Sequence, residues 1–332
     1  MDALILRSLN HGPATISEIA ERCGTSAYVV RTRLTCLAKA GFGFTSHPVH
    51  GITISQTPDR IDGGIIHSLI PEDKAPRSIS VHGSTTSTND LAHQAGRTGK
   101  PNPSVFIAEE QTGGRGRSGR VWASKDGLGL WMSILHSPTQ PFHLWPRLTT
   151  AVAVLVAKSL RSHLGLPICI KWPNDLWISH SKCAGIIAET GNFQGDPYAV
   201  IGIGINVLHT SEDFPLDLRS IATSLRINLP DRVLCRNAIA ADLLTAISGI
   251  DESISDHGFA SILSEARQLS CVLQKTIELD LNGERINGVA LDLDPEGHLI
   301  VKTDNGVERI FHSGEVTCIR TRSSDEPSCT QV

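Results

Sequence analysis

Residues 111–122 read Gln-Thr-Gly-Gly-Arg-Gly-Arg-Ser-Gly-Arg-Val-Trp. The first ten of them hold four glycines and three arginines, a composition that does not pack as a helix or a strand. A strand-like run at residues 106–109 leads into the segment, and another at residues 128–135 follows it. The pattern therefore predicts a mobile loop on a rigid sheet that closes over a ligand. A solvated basic loop, or a nucleic-acid-binding tail of the Arg-Gly type, is the alternative.

The arginines of this loop indicate what kind of ligand it would take. Arg115, Arg117 and Arg120 carry fixed positive forks that suit phosphate or carboxylate. Trp122 adds a flat apolar surface beside them. The loop therefore suits a ligand that carries a phosphate or a carboxylate.

Four shorter motifs lie before and after the loop. They are Ser87-Thr88-Asn89, Lys171-Trp172-Pro173-Asn174-Asp175, Lys182 ahead of an apolar strand, and the alternating glycines of residues 202–206. Each has an ordinary explanation: a helix cap, a turn, a solvated lysine and a weakened strand. Each also has a functional alternative. Ser87-Thr88-Asn89 could contact a polar ligand at a helix start, and Asn174 and Asp175 could offer oxygens to an adenine edge or to hydrated Mg²⁺. Lys182 could supply a charge for phosphate, and the glycines could leave room for a neighbouring group.

The chain around these motifs divides into three patterns. Strand-like runs at residues 105–108, 128–135, 168–172, 185–188 and 200–207 mix with helical patterns at 145–164 and 235–256, which predicts an α+β domain with a mixed sheet. Five short alternating runs between residues 276 and 319, separated by Gly-containing turns, predict a small C-terminal β-barrel. Three short helical patterns and a hairpin in the first sixty residues predict a winged helix-turn-helix.

The order and spacing of the motifs resemble the biotin protein ligase family, and with the N-terminal unit they resemble its bifunctional ligase and biotin-operon repressor type. The resemblance rests on Ser-Thr-Asn at 87–89, GGRGRSGRVW at 113–122, KWPND at 171–175, KCAGII at 182–187 and GIGINV at 202–207. It implies a winged helix-turn-helix at 1–60, a linker at 61–77, a catalytic domain at 78–267, a β-barrel at 271–321 and a disordered tail at 322–332.

The resemblance also implies a role for individual residues. Biotin would be bound by Ser87, Thr88, Asn89, Gln111, Arg115, Gly116, Arg117, Lys182, Gly185 and Gly204. ATP would be bound by Arg120, Trp122, Lys171, Asn174 and Asn206. Lys182, Arg117 and Arg120 would be catalytic, because two anionic groups must meet when the biotin carboxylate attacks the α-phosphate. Mg²⁺ would accompany the leaving pyrophosphate, and no dedicated protein metal site is expected.

The expected reaction forms biotinyl-5'-AMP and transfers biotin to a lysine of a biotin carboxyl carrier protein of acetyl-CoA carboxylase. The adenylate reacts with water, so a closing loop is expected. Two rival functions remain: a lipoate–protein ligase, which shares the fold, and a biotin-responsive regulator that transfers nothing. The GRGRxGR loop argues against the first, and the complete set of Arg115, Arg117, Asn174 and Lys182 argues against the second.

Charge bears on the partners of the N-terminal unit. The chain has a net charge of −4, which excludes a protein whose whole surface binds nucleic acid, yet residues 1–60 carry two more basic than acidic side chains. Ser26, Tyr28, Arg31 and Arg33 in or before the third helix are the candidate contacts to operator DNA. A dimerisation or protein-contact module is the alternative, and the family resemblance implies a homodimer.

The remaining composition predicts a cytoplasmic protein without a membrane segment. The eight cysteines are scattered, with no Cys-x-x-Cys pair, which is typical of reduced thiols. The longest apolar stretch, residues 151–157, is far shorter than the roughly 20 residues that span a bilayer. We also expect no signal peptide at the N-terminus.

Overall fold

A computed structural model describes residues 1–10, 12–48, 50–58, 60–99, 102–281 and 283–320. The expected disordered tail at residues 322–332 lies outside this range. The N-terminal elements occur in the predicted order. They are helices α1 (Asp2–Asn10), α2 (Ile16–Arg22) and α3 (Ala27–Lys39), followed by strands β1 (Gly43–His47) and β2 (Gly51–Gln56), which pair as an antiparallel hairpin.

Helix α2 shows how the sequence determines these boundaries. The amide of Glu18 donates to Thr15 Oγ1 at 3.2 Å, and the Thr15 amide donates to Glu18 Oε2 at 2.7 Å, which forms the predicted capping box. Gly24, at φ +59°, takes the left-handed conformation that ends the helix. Ser26 then caps α3 by accepting from the Val29 amide at 3.3 Å.

The segment expected as a linker, residues 61–77, is folded against the central domain. It contains helix α4 (Gly63–Leu69), whose Ile66 and Leu69 are buried. The Ile61 amide donates to Glu109 Oε1 at 2.6 Å, and Arg236 donates to the other oxygen of Glu109 at 2.6 Å. This buried ion pair therefore holds the start of the segment onto the central domain.

The central domain is built on a mixed sheet, as predicted, and this sheet has seven strands. Its strands are β3 (Ser78–Thr85), β4 (Ser104–Gln111), β5 (Gly129–His136), β6 (Ile168–Lys171), β7 (Asp175–Ile178), β8 (Ser181–Phe193) and β9 (Asp196–Asn206). They lie in the order β3-β4-β5-β9-β8-β7-β6. The β3–β4 pair is parallel, and the other neighbouring pairs are antiparallel.

Among the described residues, six helices complete this domain. They are α5 (Thr88–Gly96), α6 (Leu148–Leu164), α7 (Leu225–Asn228), α8 (Arg236–Ile247), α9 (Ile250–Ile254) and α10 (Gly258–Leu269). The helix predicted at 145–164 begins as a 3₁₀ turn that contains Pro146, and α6 proper starts at Leu148. The pattern at 235–256 is divided at Gly249 into α8 and α9. No helix in the described ranges combines the length and apolar composition that a bilayer crossing requires.

The C-terminal strands agree with the sequence pattern, but the predicted barrel is wrong. Strands β10 (Thr276–Leu281), β11 (Glu284–Leu293), β12 (Leu299–Thr303), β13 (Glu308–Phe311) and β14 (Glu315–Arg320) form an open antiparallel sheet in the order β13-β12-β11-β10-β14. A barrel would need its edge strands β13 and β14 to bond to each other, and they do not pair in this sheet. Alternation predicts strands and faces but carries no information about closure.

Candidate active site

A cavity of about 460 Å³ lies between α5, the strands β8 and β9, and the arginine–glycine loop. Fourteen of the fifteen residues predicted to bind biotin or ATP line it: Ser87, Thr88, Asn89, Gln111, Arg115, Gly116, Arg117, Arg120, Trp122, Asn174, Lys182, Gly185, Gly204 and Asn206. These residues come from distant parts of the chain, so the fold brings the separate motifs together at one place. Strands hold one wall, and the loop forms the cover.

The arginine–glycine loop is folded back on itself over the cavity. The amide of Gly116 donates to the Arg120 carbonyl at 2.6 Å, and the amide of Trp122 donates to the Gly114 carbonyl at 2.9 Å. A Cβ at Gly114 would come within 2.6 Å of the Trp122 carbonyl, so only glycine allows the two arms to approach this closely. The loop therefore has a defined turn that presents the arginine side chains.

The alternating glycines of β9 make room for two side chains. A Cβ at Gly204 would lie 2.9 Å from the indole of Trp122, and a Cβ at Gly202 would lie 2.5 Å from Asn89 Oδ1. On the neighbouring strand, a Cβ at Gly185 would lie 3.0 Å from the same indole. The prediction that another group lies against the glycine face is confirmed, and that group is Trp122 together with Asn89.

Lys182 lies beside both the aromatic cover and a carboxylate. Its Nζ is 2.8 Å from Asp175 Oδ1 and 5.0 Å from the centre of the Trp122 ring. The half-buried ammonium therefore lies in the cavity between an acid and an aromatic face. Such a charge is placed to contact an anionic ligand that enters under Trp122.

The loop arginines are held by acids and carbonyls around the cavity rim. Arg115 pairs with Asp90 at 2.5 Å and Arg120 with Glu315 at 2.5 Å. Arg117 donates to Asn174 Oδ1 at 3.2 Å and to the Gly314 carbonyl at 3.3 Å. Burial lowers the pKa of the Arg117 guanidinium, although arginine stays protonated in proteins.

The opposite end of the cavity is a polar floor at the start of α5. The amide of Thr88 donates to Gln111 Oε1 at 2.8 Å, and Thr88 Oγ1 lies 2.6 Å from Ser133 Oγ. Ser133 in turn donates to Asn89 Oδ1 at 2.5 Å. The motifs at 87–89 and 111 are therefore parts of one hydrogen-bond network.

Three predicted nucleotide residues occupy different environments. Asn174 and Asn206 line the cavity, and their Nδ2 atoms donate to the carbonyls of Ile186 at 2.8 Å and Thr223 at 3.0 Å. Lys171 does not line the cavity, so its predicted contact with ATP is not supported by the geometry. Its Nζ lies 4.3 Å from the centre of the Trp177 ring, and burial lowers its pKa.

Sequence reasoning missed two contributors to this site. The segment at residues 214–222 lines the cavity with Phe214, Asp217, Leu218, Ile221 and Ala222. Backbone hydrogen bonds of 2.8 Å on each side of Lys182, to residues 221 and 223, hold it there. The C-terminal sheet contributes Gly314 and Glu315 through the arginine contacts. These pairings join residues far apart in the chain, and no local motif indicates them.

The predicted DNA contacts of the N-terminal unit also separate into two groups. Tyr28 is 77% exposed, and Arg31 is exposed on the same helix. Arg33 forms an ion pair with the buried Asp2, and Ser26 caps α3. Tyr28 and Arg31 are therefore available to a partner, whereas Arg33 and Ser26 have structural contacts inside the unit.

Two protein-family models and a solved structure match this chain. The model of the biotin/lipoate A/B protein ligase family matches residues 81–206, and the model of the biotin protein ligase C-terminal domain matches residues 273–317. The chain is also similar to the solved structure of the Aquifex aeolicus biotin protein ligase in complex with biotin and ATP. The similarity covers 72% of this chain and 97% of that one. The TM-score is 0.62 and the sequences are 25% identical.

Two curated relatives extend the similarity along the chain. The bifunctional ligase/repressor BirA of Bacillus subtilis is 30% identical over 301 residues, which cover 89% of this chain and 90% of the relative. The biotin–[acetyl-CoA-carboxylase] ligase of Mycobacterium tuberculosis is 31% identical over 250 residues, covering 74% of this chain and 90% of the relative. With its sequence motifs gathered in one cavity and its similarity spanning most of its length, this chain belongs to the biotin protein ligase family.

Proposed function

We propose that this protein is an ATP-dependent biotin protein ligase that forms biotinyl-5'-AMP and transfers biotin to a lysine of a biotin carboxyl carrier protein. The observation that carries the proposal is the cavity itself, which is lined both by the polar floor around Thr88 and Gln111 and by the cations Arg117, Arg120 and Lys182. A ligand with a polar ring at one end and a carboxylate at the other fits this distribution.

Biotin would bind with its ureido ring at the floor. Ser87, Thr88, Asn89 and Gln111 supply hydroxyl and amide groups there, and the Trp122 indole, packed on the glycines of β8 and β9, supplies an apolar surface. Arg115, Gly116, Arg117, Lys182, Gly185 and Gly204 complete the proposed biotin site. The carboxylate would then extend toward Lys182 and Arg117.

The first chemical step joins two anions, and the cations lower its barrier. One carboxylate oxygen attacks the α-phosphorus of ATP, the bond to the bridging oxygen breaks, and pyrophosphate leaves. Lys182, Arg117 and Arg120 would neutralise the charge that accumulates around the phosphorus. These cations contact Asp175, Asn174 and Glu315, and a polyanionic ligand would replace those contacts.

The oxygen donors of the cavity fit a magnesium ion that is bound mainly through the nucleotide. Asp175, Asn174 and Asn206 line the cavity, a small donor set, and Mg²⁺ is usually held by one or two carboxylates together with substrate phosphates and water. The bound ion would offset the negative charge of the leaving pyrophosphate. Asn174, Asn206, Trp122 and Arg120 are the proposed contacts to the nucleotide.

The second step requires the cover to retain the intermediate. A carrier lysine amine attacks the carbonyl carbon of the mixed anhydride, the bond to the phosphate oxygen breaks, and AMP leaves. Water would compete for the same carbon, so the folded loop around Arg117 is proposed to exclude water until the carrier arrives.

Biotin-dependent exchange of labelled pyrophosphate into ATP tests the adenylation step. The purified protein with ATP and Mg²⁺ should support exchange with biotin, and lipoate should support none. Exchange with lipoate alone would instead favour a lipoate–protein ligase. Exchange with biotin but no labelling of an apo carrier domain would favour a regulator without transfer activity.

The N-terminal unit supports a second proposed role as a biotin-operon repressor. The helices α1 to α3 and the β1–β2 hairpin have the order of a winged helix-turn-helix, with Tyr28 and Arg31 exposed on α3. The Bacillus subtilis relative is named a bifunctional ligase/repressor, which favours the same interpretation. Biotin-dependent retention of an operator fragment from the organism's biotin genes is expected, and binding that ignores both sequence and biotin would refute it.

The proposed domain division assigns residues 1–60 to DNA binding, 61–77 to a connecting segment, 78–267 to catalysis and 271–321 to the C-terminal domain. Similarity to the family models within residues 81–206 and 273–317 supports the last two. A homodimer and a cytoplasmic location stay predictions from the family resemblance and the cysteine pattern.

A further inference from the structure

Glu189 on β8 does not line the cavity, yet it contacts the network that does. Its Oε2 accepts from Asn89 Nδ2 at 2.8 Å and lies 3.2 Å from His93 Nε2. Asn89 and His93 are one turn apart on α5, so both reach the same carboxylate oxygen. The Asn89 amide is also confined on its other side by Gly202, where a Cβ would lie 2.5 Å from Oδ1.

The charge of Glu189 determines which way the Asn89 amide points. The hydrogen bond from His93, and then that from Asn89, lower the pKa of this carboxyl against the opposing effect of burial. An ionised carboxylate only accepts hydrogen bonds, so the NH₂ group of Asn89 must face it. Asn89 Oδ1 is thereby directed at Ser133, in agreement with the 2.5 Å contact from the Ser133 hydroxyl.

The orientation of the Asn89 amide determines the hydrogen-bond direction at Ser133 and then at Thr88, because each hydroxyl has only one proton to donate. Ser133 gives its proton to Asn89, so its oxygen can only accept from Thr88, which lies 2.6 Å away. Thr88 gives its single proton to Ser133, the nearer partner at 2.6 Å, and has none left for Gln111 Oε1 at 3.1 Å, which already accepts from the Thr88 amide at 2.8 Å. The lone pairs of Thr88 Oγ1 are then left to accept a hydrogen bond from a ligand.

Gln111, at the other end of the network, is oriented consistently with this direction. Gln111 Nε2 donates to Ser124 Oγ at 2.9 Å, and the Ser124 hydroxyl donates to the Trp122 carbonyl at 3.1 Å. Gln111 therefore keeps Oε1 toward Thr88. Both ends of the network therefore leave Thr88 Oγ1 as an acceptor on the cavity floor, and an N–H of the ligand is the group that would satisfy it.

We propose that Glu189 is a positioning residue that orients the Asn89–Ser133–Thr88 chain so that the cavity floor accepts from a ureido N–H. This proposal rests on the proposed biotin site and extends it by a residue outside the cavity. In this proposal, specificity for a cyclic urea depends on the direction of the hydrogen bonds in the cavity floor as well as on the shape of the cavity.

Two substitutions at Glu189 separate the effect of hydrogen-bond direction from the effect of the carboxylate charge. Glu189→Gln keeps an acceptor oxygen for Asn89 and should change the KM for biotin less than about threefold. Glu189→Lys offers only donors, which turns the Asn89 amide over and reverses the chain. We expect it to raise the KM for biotin at least about tenfold, with the KM for ATP unchanged and kcat at saturating biotin within about threefold.

A matched charge reversal and a compensating change complete the experiment. Glu110→Lys on β4 alters an acid whose hydrogen bond goes to Ser84, outside this network, and should leave the KM for biotin unchanged. When Asn89→Asp is combined with Glu189→Lys, the new carboxylate accepts from both the new ammonium and Ser133, so the original direction returns. This double variant should recover most of the lost biotin affinity, whereas Asn89→Asp alone should weaken binding.

An unchanged KM for biotin in Glu189→Lys would overturn the proposal, and so would an equal loss in Glu189→Gln or no recovery in the double variant. If Glu189→Lys fails to fold, as measured by thermal unfolding, the double variant and Glu189→Gln decide by the same criteria. Wild-type protein without biotin-dependent pyrophosphate exchange would instead refute the proposed function, and this inference with it.

Discussion

The indole of Trp122 lies so close to the backbone of Gly204 that a Cβ at this glycine would come within 2.9 Å of the ring. Gly204→Ala should therefore displace Trp122 from its slot and raise the KM for biotin at least about tenfold, since the apolar contact is lost or blocked. Steady-state pyrophosphate exchange measures this effect. Gly83→Ala, where no atom lies within 4 Å of the new Cβ, is the matched control and should behave as wild type.

Lys182 contributes its charge to adenylation. Lys182→Ala removes the ammonium that lies between Asp175 and Trp122, and should slow pyrophosphate exchange about a hundredfold or more. Lys158→Ala removes a lysine that pairs with Glu265 on the surface and should leave the rate unchanged. Exchange at the wild-type rate in Lys182→Ala would refute the role in charge neutralisation.

Arg117 connects the cover to two other parts of the protein, Asn174 and the C-terminal Gly314. Arg117→Gly removes both contacts and should let the adenylate escape, so that lysines of unrelated proteins become biotinylated. Mass spectrometry of a mixture of carrier and bystander proteins detects this labelling. Arg77→Gly, at an exposed arginine before β3, should keep the label on the carrier. Confinement to the carrier in Arg117→Gly would show that the loop does not retain the intermediate.

The two arginines of α3 should differ in their effects. Arg31→Ala removes an exposed charge and should weaken operator binding about threefold to tenfold. The slope of the binding constant against salt concentration should fall by about one released ion, and ligase activity should be unchanged. Arg33→Ala leaves the buried Asp2 without its ion-pair partner and should lower the free energy of unfolding by about 1–3 kcal/mol. Filter binding and thermal unfolding distinguish them, and the reverse pattern would assign DNA contact to Arg33.

His209 should make stability depend on pH. Burial lowers the pKa of its imidazole from 6.5 to about 4, and its ring stacks on Phe214 of the cavity wall at 4.9 Å. Between these pH values the unfolded chain binds a proton that the folded protein does not. The free energy of unfolding therefore falls as the pH is lowered from about 6.5 to about 4, by about 3 kcal/mol at most.

His209→Phe keeps the stacking and should remove this contribution from the pH dependence of chemical denaturation. His180→Asn, at an exposed histidine, should leave the pH dependence as in wild type. An equal slope in His209→Phe and wild type would show that other groups cause it.

The sequence predicted the parts of this protein that depend on local patterns. The capping box at Thr15 and Glu18, the strands β10 and β12 and the arginine–glycine loop follow from short-range propensity and turn chemistry. The gathering of Lys182, Gln111 and Asn174 in one cavity followed from the order of motifs, which carries family information beyond any single pattern.

The parts that could not be predicted depend on long-range pairing. The contacts of Arg117 with Gly314 and of Arg120 with Glu315 cross almost two hundred positions of the chain, and nothing local to either partner indicates them. The open C-terminal sheet and the wall at residues 214–222 have the same origin. Lys171 belongs to the same motif as Asn174, yet its Nζ lies over the Trp177 ring, so its contact with ATP stays a prediction.

The mass of an apo carrier domain after incubation with the protein, ATP, Mg²⁺ and biotin tests the central claim most directly. We predict an increase by one biotinyl group on a single lysine, with AMP and pyrophosphate released, and no such increase without ATP or with lipoate in place of biotin. A carrier of unchanged mass in the complete mixture, or one modified by lipoate, would contradict the assignment of this site to biotin transfer.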